Sequence, residues 1–148
     1  MSEHRIALNW QKGDAPFTYE TYSRNHDIAF KAGAAHMTVS AYQAYRGDAA
    51  KPDPEDLLVA AMSSCHMLSF LAIAAKKRLT VLSYRDDAVG FLEDDGGTLW
   101  IARAILRPTV VFETPPDAHT LAQIHHMAHQ ACFIANSLKT EIQVEIRP

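Results

Sequence analysis

Between Asp56 and Lys76 the chain runs for nineteen residues, Leu57 to Ala75, without a formally charged side chain. A stretch of that length must be shielded inside a folded core or lie in a bilayer, whose hydrocarbon layer takes about 20 residues of helix. Here Ser63, Ser64, His66 and Ser69 interrupt it and five of its residues are alanine, a composition less apolar than spanning segments carry. It reads as a buried central helix with one special face. The flanks agree. Asp53 can cap, Pro54 suits the first helical position, and Glu55 and Asp56 favour the positive end of the helix dipole. Lys76, Lys77 and Arg78 complement the negative end, so the helix is expected over about 54–77.

The remaining chain supplies what such a helix would pack on. Ile6, Leu8 and Trp10 alternate in strand fashion, as do Phe17, Tyr19 and Thr21 beyond a turn at Gly13-Asp14-Ala15-Pro16. Residues 28–30 and 37–41 read as further short strands about a bend at Gly33, giving a β-meander followed by a polar loop over 46–53. Val81 to Phe91 and Leu99 to Phe112 are two strand-like runs around the hairpin signal Asp94-Asp95-Gly96-Gly97. Thr114-Pro115-Pro116-Asp117 opens a second helix over about 117–137, and Glu141 to Ile146 is a final strand. The expectation is an α+β fold, one domain over 1–148, whose helices pack on sheet.

The charges narrow the function classes. A net charge of −3, with Lys and Arg scattered, offers no basic stripe for nucleic acid or an anionic membrane. The N-terminus Met1-Ser2-Glu3-His4-Arg5 lacks the apolar core of a signal peptide, so a cytoplasmic protein is expected. Two distant cysteines in such a chain are not a disulfide framework of the secreted kind.

Cys65 lies mid-helix among Leu58, Ala61, Met62, Leu68, Ser69 and Ala72 at helical spacing. On that face alone an inert core thiol is the default. Ser63, Ser64, His66 and Ser69 are nearby hydrogen-bond donors, and a reactive thiol needs such donors or positive charge to hold its thiolate. Cys132 falls on the expected second helix with His125 and His129 at spacings that let all three face one way. That cluster, with His119 and His126, raises a metal reading, but the ligand set is incomplete and no metal is expected. A Cys-His hydrolase would need a base against the sulfur and an oxyanion hole, and no local signature of either is present.

Two segments carry a resemblance. Pro54-Glu55-Asp56-Leu57-Leu58, then Ala60-Ala61 and Ser63-Ser64-Cys65, is similar to the Asn-Pro-Glu-Glu-Leu…Ala…Ser-Cys helix of the OsmC/Ohr family, osmotically inducible protein C and the organic hydroperoxide resistance proteins. Ala128 to Lys139, around Cys132, resembles that family's second-cysteine segment, and the order of elements agrees from end to end. Asp53 stands where the motif has Asn, a change that still caps.

The resemblance implies an OsmC-like fold, an intertwined homodimer with active sites at its interface, and a cysteine peroxidase acting on organic hydroperoxides in oxidative-stress defence. Cys65 would be the peroxidatic thiolate, Cys132 the resolving thiol and Glu55 the active-site glutamate. The arginine that Glu55 holds matches Arg46, in the loop before the motif, with Arg24 in reserve. No bound cofactor is implied, only an external dithiol reductant of lipoyl type. Related proteins with spectator cysteines that bind apolar ligands, or that sense redox state, are the alternatives. Ten residues of helix separate Glu55 from Cys65 by about 15 Å, so an antiparallel partner helix about a two-fold axis is expected to bring one subunit's Glu55 towards the other's Cys65. Leu58, Met62, Leu68 and Phe70 suit alkyl peroxides, and His66 has no assignable role.

Overall fold

The computed structural model describes residues 1–147. They form two compact units, Met1–Leu57 and a larger one from Leu58 onward, each described by itself.

In the first unit, strands β1 (Ile6–Asn9), β2 (His26–Phe30) and β3 (Ala35–Val39) form an antiparallel sheet in that order. Leu8 pairs with Ile28 and Ile28 with Met37, which puts Ile6, Leu8, Ile28, Phe30 and Met37 on one face. Ile6 and Leu8 remain 58% exposed. Gly33, at φ +93°, supplies the expected bend as the last residue of a short 3-10 turn over Lys31–Gly33.

The strand expected at Phe17, Tyr19 and Thr21 is a turn instead. The Thr21 and Tyr22 N–H groups both donate to the Thr18 carbonyl at 3.1 Å, and the Thr18 and Thr21 hydroxyls bond at 2.8 Å. These local bonds outcompete a ladder, while Trp10 meets Phe17 and Tyr22 edge to face and those two rings pack tilted against each other. The strand expected to reach Ala41 stops at Val39, where the Ser40 N–H turns to the Pro52 carbonyl at 2.9 Å.

Helix α1 (Pro54–Lys76) begins as the residues dictate. The Asp56 N–H donates to Asp53 Oδ1 at 2.9 Å and the Asp53 N–H to Asp56 Oδ2 at 3.2 Å, a reciprocal capping box. It closes with Arg78 in the left-handed region (φ +60°) and the Leu79 N–H on the Ala74 carbonyl at 3.0 Å. Its length and composition would suit a membrane crossing, but Met62, His66, Phe70 and Ala74, four apart, are all buried as core.

The two strand-like runs each split in two: β4 (Val81–Asp86) and β5 (Val89–Asp95), then β6 (Thr98–Leu106) and β7 (Pro108–Phe112). Asp86-Asp87 and Pro108 make the breaks, since Asp is depleted from strands and Pro cannot donate to the ladder. The β5–β6 hairpin turns at Gly96-Gly97 as expected, with the Gly97 N–H on Asp94 Oδ1 at 2.6 Å. β4 pairs with β7, and β8 (Glu141–Val144) runs parallel beside β6, ending short of the expected Ile146. The N-terminal half of α1 covers the β5–β6–β8 sheet through Met62, Ile101 and Ala104. Its C-terminal half, through Phe70 and Ala74, packs against Phe112 and against Ile124 and Ala128 of helix α2 (Ala118–Ala131). A Cβ on Gly90 would lie 2.6 Å from Val59, so only glycine lets α1 approach β5 this closely.

Helix α2 ends six residues before the expected 137, and Cys132 lies just past it rather than on it. Cys132 is extended (φ −73°, ψ 110°), and a 3-10 turn at Ala135–Ser137 follows.

Candidate active site

Cys65, half-buried on α1, and Cys132, 1% exposed at the end of α2, are both free thiols. The two thiols are neighbours, near enough for Cys65 to act on the Cys132 thiol. Leaving the helix lets the Cys132 sulfur turn back to accept from the Ala135 N–H at 3.4 Å. Burial pushes the Cys132 thiol above the usual thiol range, the Cys65 thiol adds to that shift, and the Ala135 N–H opposes it. The pair therefore comprises one accessible sulfur and one sequestered sulfur.

His66, beside Cys65, has a definite partner that sequence reasoning missed. Its Nε2 lies 3.1 Å from Nδ1 of His125 on α2, with the rings parallel to within 3° and their centroids 5.4 Å apart. Both are buried, and both are pushed down to about 4, His66 by desolvation, then the nearby His129, with Asp86 opposing; His125 by desolvation, then His66. The rings are therefore neutral near pH 7 and share one N–H between the bonded nitrogens. The available signal was spacing, since His66 falls between Met62 and Phe70 on the buried line of α1.

A polar seam surrounds the pair. His66 Nδ1, His125 Nε2 and the Tyr84 hydroxyl are the buried side-chain atoms without a hydrogen-bond partner among the described residues. The Phe70 ring touches two of their owners, 4.4 Å from His125 and 5.5 Å from Tyr84 between centroids. Asp86 accepts from the Ser63 hydroxyl at 2.5 Å and from the Arg107 N–H at 2.6 Å.

The histidine cluster of α2 is divided by the helix: His125 is buried, His129 half-buried, and His119 and His126 exposed. Among the described residues no three or more His, Cys, Asp or Glu side chains gather to hold a metal. The expected stripe of Leu58, Met62, Leu68 and Phe70 is not one face either, for Leu68 is 60% exposed while Met62 and Phe70 are buried.

Glu55 is half-buried in the first turn of α1. Arg46 is exposed, left-handed at φ +66°, with its guanidinium 5.7 Å from the Tyr19 ring centre. Arg24 is buried instead. It donates to the Tyr22 and Tyr19 carbonyls at 2.6 and 2.5 Å and lies 3.7 Å from the Tyr22 ring centre. No carboxylate pairs with it among the described residues. Arg24, Trp10, Phe17 and Tyr22 line a largely apolar cavity of about 420 Å³ in the first unit.

The profile of the family described as OsmC-like protein matches residues 47–147. Among solved structures, an OsmC-like protein of unknown function from Vibrio cholerae O1 biovar eltor is 43% identical with a TM-score of 0.93, over 99% of this chain and 100% of that one. An organic hydroperoxide resistance protein OsmC from Legionella pneumophila shares the fold at 13% identity, with a TM-score of 0.72 over 99% and 96% of the two chains. OhrB of Bacillus subtilis, an organic hydroperoxide resistance protein, does so at 11% identity and a TM-score of 0.65 over 99% and 98%. Among curated proteins none matches the sequence.

Proposed function

The chain belongs to the OsmC-like protein family, and from that premise we propose that it is a cytoplasmic thiol peroxidase that reduces organic hydroperoxides. The observation that carries this reading is the approach of two thiols from separate elements, one accessible and one sequestered. Cys65, the accessible one, is the attacker. Its thiolate forms an S–O bond to the terminal peroxide oxygen as the O–O bond breaks, and the alkoxide leaves as alcohol on taking a proton. Cys132 then attacks the sulfenic sulfur, the S–S bond forms, and hydroxide departs as water with the Cys132 proton. An external dithiol, of lipoyl type, restores both thiols and is itself oxidised.

The thiolate and peroxide are held by an arginine, with Glu55 as its carboxylate partner in a homodimer. Burial favours Arg24 over Arg46, because a guanidinium held only by carbonyls and ring faces keeps its positive charge available to an anion. The sheet face of Ile6, Leu8 and Met37, apolar and exposed in the single chain, supports assembly with a second copy. The aromatic cavity beside Arg24 favours a second reading, binding of an apolar ligand without turnover.

Cumene hydroperoxide separates the two readings. The peroxidase loses two free thiols per chain within seconds to minutes, and Cys65→Ser prevents it. Thiols that persist for hours under excess peroxide leave the binding reading.

A further inference from the structure

We propose that the His66–His125 pair is a positioning device that holds Cys65 against Cys132 and so sets how readily their disulfide closes; this rests on the redox role given above to the two cysteines.

His66 and Cys65 are adjacent on α1, yet their partners stand seven residues apart, His125 on α2 and Cys132 just past its end. Helices that touch in this way cross, and a crossing held only by apolar side chains can slide and rotate. A disulfide tolerates little of that, since its Cα atoms must approach to roughly 4.4–6.8 Å. A directional hydrogen bond between coplanar, buried rings is what the apolar core on either side, Met62 and Phe70, does not supply. Two outer ring nitrogens are left without partners, at a cost on the order of 1–3 kcal/mol each. An apolar pair would fill the same space without that cost, so stability alone does not account for the histidines.

The test uses the whole chain and needs no peroxide. Reduced protein is equilibrated with oxidised and reduced dithiothreitol. The two protein thiols pass two electrons and two protons to the cyclic disulfide of the reagent, and the equilibrium gives the effective concentration of one thiol at the other. The bonded nitrogens are Nε2 of His66 and Nδ1 of His125, which the amides of Gln and Asn respectively can reach. His66→Gln and His125→Asn are therefore expected to stay near the wild-type value. His66→Asn and His125→Gln are expected to fall roughly three- to tenfold, the worth of one intramolecular hydrogen bond.

Four variants that behave alike, or a reversed pattern, would overturn the proposal. Independently of any variant, ring ¹⁵N spectra of the reduced wild type should show two neutral imidazoles coupled across the bond. Two imidazoles titrating freely near the ordinary value would equally overturn it. A wild type that closes no disulfide at any reagent ratio would instead sink the redox reading from which the proposal starts.

Discussion

Nε2 of His66 and Nδ1 of His125 meet at 3.1 Å in the seam between the two apolar clusters that α1 joins. Both rings titrate near 4 in the fold, against an ordinary value of 6.5. Between those pH values the unfolded chain binds more protons than the folded one. Stability is therefore complete above about pH 6.5 and is lost as the pH falls towards 4. Asp86 works against this and His129 with it, through their charges on His66. Unfolding free energies from urea titrations at pH 7 and pH 5 should differ by on the order of 2 kcal/mol for each ring, and His66→Gln should flatten the slope. Equal midpoints at the two pH values would contradict a neutral buried pair.

Cys132→Ser removes the sequestered thiol and leaves the attacking one. The first oxidation of Cys65 by an organic hydroperoxide should proceed at the wild-type rate, while turnover with a dithiol falls at least tenfold. With no resolving thiol, Cys65 climbs from sulfenic to sulfinic and sulfonic acid. Intact mass after a peroxide pulse reads this directly. A variant that stays at the thiol level would mean that Cys65 is not the attacker.

Gly90 offers a steric test of how α1 sits on β5. Its missing Cβ would fall 2.6 Å from Val59 and 3.4 Å from Ile101. Gly90→Ala should therefore destabilise by about 1–3 kcal/mol through overpacking, and shortening Val59 to Ala in the same chain should recover part of the loss. Denaturant midpoints of the two variants check both statements.

Features that depend on neighbours in sequence were legible before the structure. The Asp53 cap, the turn at Gly96-Gly97 and both ends of α1 follow from side chains within a few residues of where they act. The misses share a different cause. Phe17 to Thr21 alternates like a strand, but two threonine hydroxyls close a turn that periodicity does not encode. Cys132 continues a helical pattern, yet the helix stops at Ala131 and the Cys132 sulfur turns back to the Ala135 N–H, a contact that periodicity does not encode. His66 and His125 stand 59 residues apart, and nothing local in either segment announces the other.

Asp53 closes the capping box that starts α1, and its role is separable from its charge. Its Oδ1 accepts the Asp56 N–H at 2.9 Å, and its own N–H donates back to Asp56 at 3.2 Å. Asparagine offers the same acceptor at the same reach, so Asp53→Asn should change stability by only a few tenths of a kcal/mol. Alanine offers none, and Asp53→Ala should cost about 1 kcal/mol. Because Glu55 sits in the turn that this cap fixes, the alanine variant should also slow peroxide reduction more than it lowers the denaturant midpoint would explain. The measurement is the single-turnover rate of thiol loss for both variants under conditions where each is fully folded. An alanine variant as fast as the asparagine one would show that the first turn of α1 takes no part in the chemistry.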